Sequence, residues 1–247
     1  MKEGIIFDLD GTLWDSTEQV VKAWNHTLKE FKEIDYIMTV DILKTLMGKT
    51  IKEIAGIFLK EIPEQKAIEI MKQCCIVELS YLDNNGGILY PKLEETLNEL
   101  LKYYNLYIVS NCQEGYIESF LNYHKLTKYF SDYECHGRKN LSKGENIKLI
   151  IERNKLDKAI YVGDTQSDYE AAKLAGIPFI YAKYGFGNVK ENTNIINNIC
   201  ELPKTIKMLW ILKRIELKNQ LNPFFGTTQR SSPTSIALHY YFCRYWR

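Results

Sequence analysis

Over most of this chain, short unbroken apolar runs alternate with stretches in which apolar residues recur every three or four positions. The first run, Gly4-Ile5-Ile6-Phe7, stops at Asp8 and Gly11, and Leu106-Tyr107-Ile108-Val109, Ala159-Ile160-Tyr161-Val162 and residues 177–181 around Pro178 repeat it. Continuous rather than alternating apolarity is what a strand covered on both faces needs, as in a parallel sheet. Between the runs, Leu93, Leu97, Leu100 and Leu101 fall at i, i+4, i+7 and i+8. Ile147, Ile150 and Ile151 keep that spacing, and Ala171, Ala172 and Ala175 line a further helix closed by Gly176. Strands alternating with helices from residue 88 onward predict βαβ units and an α/β fold with a doubly wound parallel sheet.

Residues 15–83 break the alternation. Val20, Val21, Trp24, Leu28 and Phe31 mark one amphipathic helix, Ile51, Ile54, Ala55, Phe58 and Leu59 another, and residues 68–82 read as a third, with no clear strand among them. The pattern predicts a small helical domain inserted after the first strand. Residues 13–17 form one hinge and the turn-rich Asp83-Asn84-Asn85-Gly86-Gly87 the other. The sheet domain then comprises residues 1–14 and 84–216. From Leu217 the composition changes: the stretch to Arg247 carries Lys218, Arg230, Arg244 and Arg247 but no acid, and ends in Tyr240-Tyr241-Phe242-Cys243-Arg244-Tyr245-Trp246. Without periodicity, residues 217–247 read as a poorly ordered accessory tail, or as a basic and aromatic contact with a partner or a membrane surface.

Composition narrows the function classes. At 247 residues the chain holds roughly one to two domains and a sizeable core. Its 32 basic residues balance 31 acidic ones, a net charge of +1, which argues against an electrostatic nucleic-acid binder. No apolar stretch approaches the ~18 residues of a membrane span, and Asp8 and Asp10 interrupt any signal-peptide core. Cys74, Cys75, Cys112, Cys135, Cys200 and Cys243 show neither CxxC nor zinc-site spacing, so they read as reduced residues of a cytoplasmic protein; a monomer or weak homodimer is expected.

The chemistry is concentrated in Asp8-Leu9-Asp10-Gly11-Thr12. Two carboxylates two residues apart at the end of a strand project toward one volume, and open α/β sheets put ligand sites just beyond such ends. Like charges so close are costly unless a cation lies between them or one is protonated. A Mg²⁺ site would take such oxygen ligands together with a substrate phosphate. Gly11 permits a sharp turn, and Thr12 offers a hydroxyl and an amide to an anion. Further along, Ser110 and Asn111 end the second apolar run, and Ser142 with Glu145 fits a capping box that puts Lys143 in a first helical turn. A cation there opposes the helix dipole, which an anionic ligand would explain. Asp164 and Asp168 follow the run ending at Val162, with Ser167 and Glu170 as a second capping box.

Asp8-Leu9-Asp10-Gly11-Thr12-Leu13, Ser110, Lys143 and the Asp164/Asp168 pair, in this order over residues 4–182, resemble the four motifs of the haloacid dehalogenase superfamily. The resemblance implies a Rossmann-like core with an all-helical cap at 15–83 and phosphatase chemistry dependent on Mg²⁺. It implies Asp8 as nucleophile, Asp10 as acid and base, and Lys143, Ser110, Asn111 and Thr12 on the phosphoryl oxygens. Asp8, the Asp10 carbonyl and Asp164 would hold the metal, with Asp168 behind them or on Lys143. Gly144-Glu145 stand where many relatives carry Pro, a form also seen in phosphoserine phosphatase-like members, and Lys139 is a nearby competitor for Lys143. Dehalogenases lack an acid two residues after the nucleophile, so Asp10 favours phosphoryl transfer. The substrate expected is a small phosphorylated metabolite, phosphoglycolate-like or a sugar phosphate, with Lys49 in Gly48-Lys49-Thr50 as a contact from the cap. Tyr184-Gly185-Phe186-Gly187 resembles a loop of phosphoglycolate phosphatase-like proteins. A hexose-phosphate mutase shares every motif, and a non-enzymatic module on the same fold is the remaining alternative.

Overall fold

The computed structural model describes residues 2–221. A six-stranded, all-parallel sheet runs in the order β5–β4–β1–β6–β7–β8. Its strands are β1 (Glu3–Phe7), β4 (Asn105–Ser110), β5 (Phe130–Cys135), β6 (Lys158–Gly163), β7 (Phe179–Ala182) and β8 (Asn194–Ile196). The chain leaves β1 toward β4 and β5, then crosses back to add β6, β7 and β8 on the other side. A topological switch point therefore lies at β1, where doubly wound sheets bind ligands beyond their carboxyl ends. The central strands are apolar on both faces because both are covered. Ile6, Tyr107, Val109 and Tyr161 join one cluster with Ile147 and Ile150 of α8 (Lys143–Arg153) and with Ala171 and Ala172 of α9 (Gln166–Ala175). Ile5, Phe7, Ile108 and Val162 are equally buried. Helices α5 (Leu93–Leu100), α6 (Tyr116–Tyr123) and the short α7 (His136–Lys139) precede α8 in the chain, and Phe120 of α6 meets Phe130, which in turn meets Phe7 on the opposite face of the sheet from Ile6.

The helical insert consists of α1 (Thr17–Leu28), α2 (Val40–Leu46), α3 (Ile51–Phe58) and α4 (Glu64–Asn85). Their inward faces, from Val20 and Trp24 to Met71 and Cys74, bury an apolar cluster of their own. The insert is joined to the sheet through a two-stranded antiparallel ribbon of β2 (Trp14–Asp15) and β3 (Ile88–Leu89). Helix α4 runs through the asparagines expected in a hinge. The Asn84 and Asn85 amides donate to the carbonyls of Ser80 and Tyr81 one turn back, and the chain turns only at Gly86, whose φ is +63°. Helix α9 begins at the Thr165–Asp168 capping box, not at Ser167–Glu170, because an aspartate at the third helical position returns the bond to the Thr165 amide.

Leu202–Leu221 form one further helix, α10, as a separate unit. The first residues of the expected tail are thus helical, and from 222 the tail lies outside the described residues, Cys243 included. The five described cysteines are free, and no helix among the described residues is long and apolar enough to cross a membrane. Truncating Ile6, fully buried at the centre of β1, to Ala is expected to cost about 2–5 kcal/mol, read as a lowered urea midpoint at unchanged slope.

Candidate active site

Parallel register assembles the site. Phe7 lies level with Ile108 on one side and Val162 on the other, and the Asp8 amide still bonds the Val162 carbonyl at 2.8 Å. The residues that follow these positions, Asp8, Ser110 and Asp164, therefore emerge along one sheet edge, all of them buried. Gly11 turns the chain away with φ +80°, and a Cβ there would stand 2.3 Å from Asp164 Oδ2. Only glycine lets the loop after β1 pass so close to that acid.

Asp8, Asp164 and Asp168 each bring a carboxylate oxygen within 4.8 Å of the others. Lys143, buried in the first turn of α8 behind the Ser142–Glu145 capping box, bridges two of them, with Nζ 2.9 Å from Asp8 Oδ1 and 2.6 Å from Asp168 Oδ1. Lys139, the competitor by spacing, is exposed on α7. Burial pushes the Asp8 carboxyl well above its ordinary value, the Asp168 charge adds to this, and Lys143 opposes both. Burial likewise raises Asp164 to about 7, again with Asp168 adding. Burial alone would lower Lys143, but Asp168 and Asp8 outweigh it and hold the ammonium above its usual value. Three buried acids face one buried ammonium, so two negative charges lack a counter-charge if all ionise. The donors are all hard oxygens, so charge and chemistry both fit a small divalent cation such as Mg²⁺.

Asp168 holds the frame. Its Oδ1 takes Lys143, while Oδ2 accepts from the Thr165 amide and hydroxyl at 2.9 and 2.7 Å. Asp164 is held by a loop to which the sequence assigned no role: the amides of Phe186 and Gly187 donate to its Oδ2 at 2.7 and 3.3 Å. Thr12 has its expected donors engaged within the chain, the hydroxyl on Asp164 Oδ1 at 3.4 Å and the amide on the Leu9 carbonyl at 3.2 Å.

Asp10 has a different setting. Its Oδ1 accepts from Ser16 Oγ at 2.7 Å and from the Tyr116 hydroxyl at 2.9 Å, and those two hydroxyls are linked at 2.8 Å. Burial raises it to about 6, with the Ser16 and Tyr116 hydrogen bonds pulling the other way. Neither Ser16 nor Tyr116 was legible as a site residue, since each is an ordinary helix-start residue until the fold brings it to Asp10.

Asp8, Asp10, Ser110 and Asn111 line a cavity of about 490 Å³, counting its open mouth, roofed by the helical insert. Asn111 Nδ2 donates to the Gly48 carbonyl of the insert at 2.8 Å, and its Oδ1 is buried without a partner. Lys49, half-buried, lines this cavity and also a wider outer cleft that Lys143 reaches. Glu78 of α4 is 3% exposed and lines the inner cavity. Its Oε2 accepts from Trp24 Nε1 at 2.8 Å and Gln113 Nε2 at 3.2 Å. Burial raises Glu78 to about 8, the Trp24 bond opposes this, and the Asp10 charge adds to it.

Residues 5–182 match the family model of the haloacid dehalogenase-like hydrolases. A phosphoglycolate phosphatase of Aquifex aeolicus is 31% identical over 198 residues, covering 77% of this chain and 88% of that protein. One of Salmonella typhimurium is 25% identical over 206 residues, covering 74% and 82%. The crystal structure of a predicted phosphatase from Clostridium acetobutylicum superposes with a TM-score of 0.70 at 26% identity, over 83% of this chain and 98% of that one.

A carboxyl raised by burial favours the folded state while protonated and loses that contribution as pH rises. For Glu78 the loss runs from its ordinary value of 4.5 to about 8. Glu78→Gln is free of it, so the melting temperature of the variant minus that of the native protein should climb across this window and level off above it. Thermal melts at a series of pH values read the slope, and a flat difference would contradict the burial of an ionisable Glu78.

Proposed function

The chain belongs to the haloacid dehalogenase-like hydrolases and is a phosphatase of that family, and on this premise we propose that it hydrolyses a small phosphate monoester through an aspartyl-phosphate on Asp8. The observation that carries this reading is the contrast between its first two aspartates. Lys143 holds Asp8 Oδ1, leaving Oδ2 without a hydrogen-bond partner among the described residues, while Asp10, raised to about 6, accepts from the neutral hydroxyls of Ser16 and Tyr116. One is set up as a nucleophile and the other as a proton carrier.

In the proposed reaction Ser110, the Asn111 amide and Lys143 bind the phosphoryl oxygens. Asp8 Oδ2 attacks phosphorus, and the alcohol oxygen leaves with the proton of Asp10. Asp10 then takes a proton from water as that water attacks the acyl phosphate, releasing inorganic phosphate and restoring Asp8. Asp8, Asp164 and the Asp10 carbonyl would hold Mg²⁺, which when bound neutralises charge on the phosphoryl oxygens. Asp168 fixes Lys143 from behind. We read residues 15–83 as a cap that excludes bulk water, with the Asn111–Gly48 contact as one place where it meets the site. The cavity beneath the insert and the relatives named phosphoglycolate phosphatases support a small substrate, phosphoglycolate-like or a sugar phosphate.

Asp8→Asn should lower phosphate release from p-nitrophenyl phosphate by at least about 10³-fold, with melting temperature retained. Activity close to the unsubstituted enzyme would remove Asp8 as nucleophile. Chelation with EDTA should abolish turnover of the native enzyme, and excess Mg²⁺ should restore it. Turnover that persists after exhaustive chelation would overturn the metal dependence.

A further inference from the structure

Among the residues the helical insert contributes to the inner cavity, Glu78 is the one acid, set among Val20, Leu43, Leu46 and Ile54. Trp24 and Gln113 both donate to Oε2, which fixes the carboxyl group, while Oε1 has no hydrogen-bond partner among the described residues. On a side chain only 3% exposed, in an otherwise apolar wall of the cavity that Asp8 and Asp10 also line, this oxygen without a protein partner is the polar atom the insert leaves for a ligand.

We propose that Glu78 selects the substrate: its Oε1 meets a hydroxyl on the alcohol part of the phosphate ester, so the enzyme prefers a polyol or sugar phosphate to an ester whose alcohol part bears a carboxylate. This rests on the phosphatase reading above and narrows it.

A hydroxyl both donates and accepts, so it pairs with Oε1 whether Glu78 is ionised or protonated. A carboxylate only accepts, and it would add a fourth acid to a cavity that already holds Asp8, Asp10 and Glu78. Lys49 does not offset this, because it is half-exposed and shared with the outer cleft, where solvent screens its charge. The unpaired oxygen lies instead on the buried wall.

The test is a comparison of kcat/KM on the native full-length enzyme with Mg²⁺, using glycerol phosphate, phosphoglycolate, phosphoethanolamine and p-nitrophenyl phosphate. Glycerol phosphate should exceed phosphoglycolate by at least about tenfold, mostly through KM. Glu78→Gln, which keeps a donor and an acceptor, should preserve the preference, while Glu78→Leu should bring the ratio to within about threefold by raising KM for glycerol phosphate. Equal or better turnover of phosphoglycolate or phosphoethanolamine by the native enzyme would overturn the inference while leaving the phosphatase reading intact. Failure to release phosphate from any of the four esters would overturn both.

Discussion

Three carboxylates whose oxygens lie within 4.8 Å of one another, away from water, could not persist without compensation, and the rest of the site is arranged around that repulsion. Lys143 takes two of them, the Phe186 and Gly187 amides take the third, and the Thr165 cap takes what remains of Asp168. Each compensating group comes from a different element: the first turn of α8, the loop after β7 and the start of α9. Moving any one leaves an acid unpaired, so the charge cluster itself fixes the ends of these elements against the sheet. A divalent cation bound there would supply the remaining counter-charge, so the same repulsion that destabilises the site would favour metal binding.

Sheet register turns that cluster into a directional site. Because β1, β4 and β6 are parallel and aligned, their last residues all point beyond the same edge, and the switch in strand order at β1 keeps that edge open for a ligand. The insert begins two residues after Asp15 and closes the opening from above. It meets the sheet domain at the site itself: Ser16 on Asp10, Gly48 on Asn111, and Glu78 on Gln113.

Much of this was legible because buried parallel strands must be apolar throughout, which made β1, β4, β6 and β7 readable as runs. β5 was not readable, since Phe130-Ser131-Asp132-Tyr133-Glu134-Cys135 has a loop-like composition. Its acids are tolerated because Arg153 of α8 reaches both Asp132 and Glu134, at 2.6 and 2.7 Å, a pairing between residues about twenty positions apart. β8 is three residues long and α2 seven, too short to show a period. The motif acids and Lys143 were legible because strand and cap chemistry place them locally. Tyr116, Glu78 and the amides of Phe186 and Gly187 were not, because their roles arise from contacts 22 to 106 positions apart, and Ser16 was not, because it reaches Asp10 only through the turn at Gly11. What separates Lys143 from Lys139 is burial against Asp8 and Asp168, which spacing alone does not encode.

The two acids of the first motif show how little sequence distance is needed to separate functions. Asp8 and Asp10 stand on one strand end, two residues apart, yet Asp8 is tied to a cation and Asp10 to two neutral hydroxyls. Burial raises both acids; at Asp8 the Lys143 ammonium opposes this and favours the ionised nucleophile, while at Asp10 the main opposition comes from neutral hydroxyls, beside which an acid can keep its proton. Ser16, one of those donors, is also the residue from which α1 starts. A displacement of the insert would therefore loosen Asp10 before it reached Asp8, because Asp8 is held by the sheet and α8 alone. On the proposed mechanism, closure of the helical roof and readiness of the proton donor are the same structural event. With the insert displaced, Asp10 would keep the Tyr116 bond but lose that of Ser16, so the proton donor would be less firmly placed.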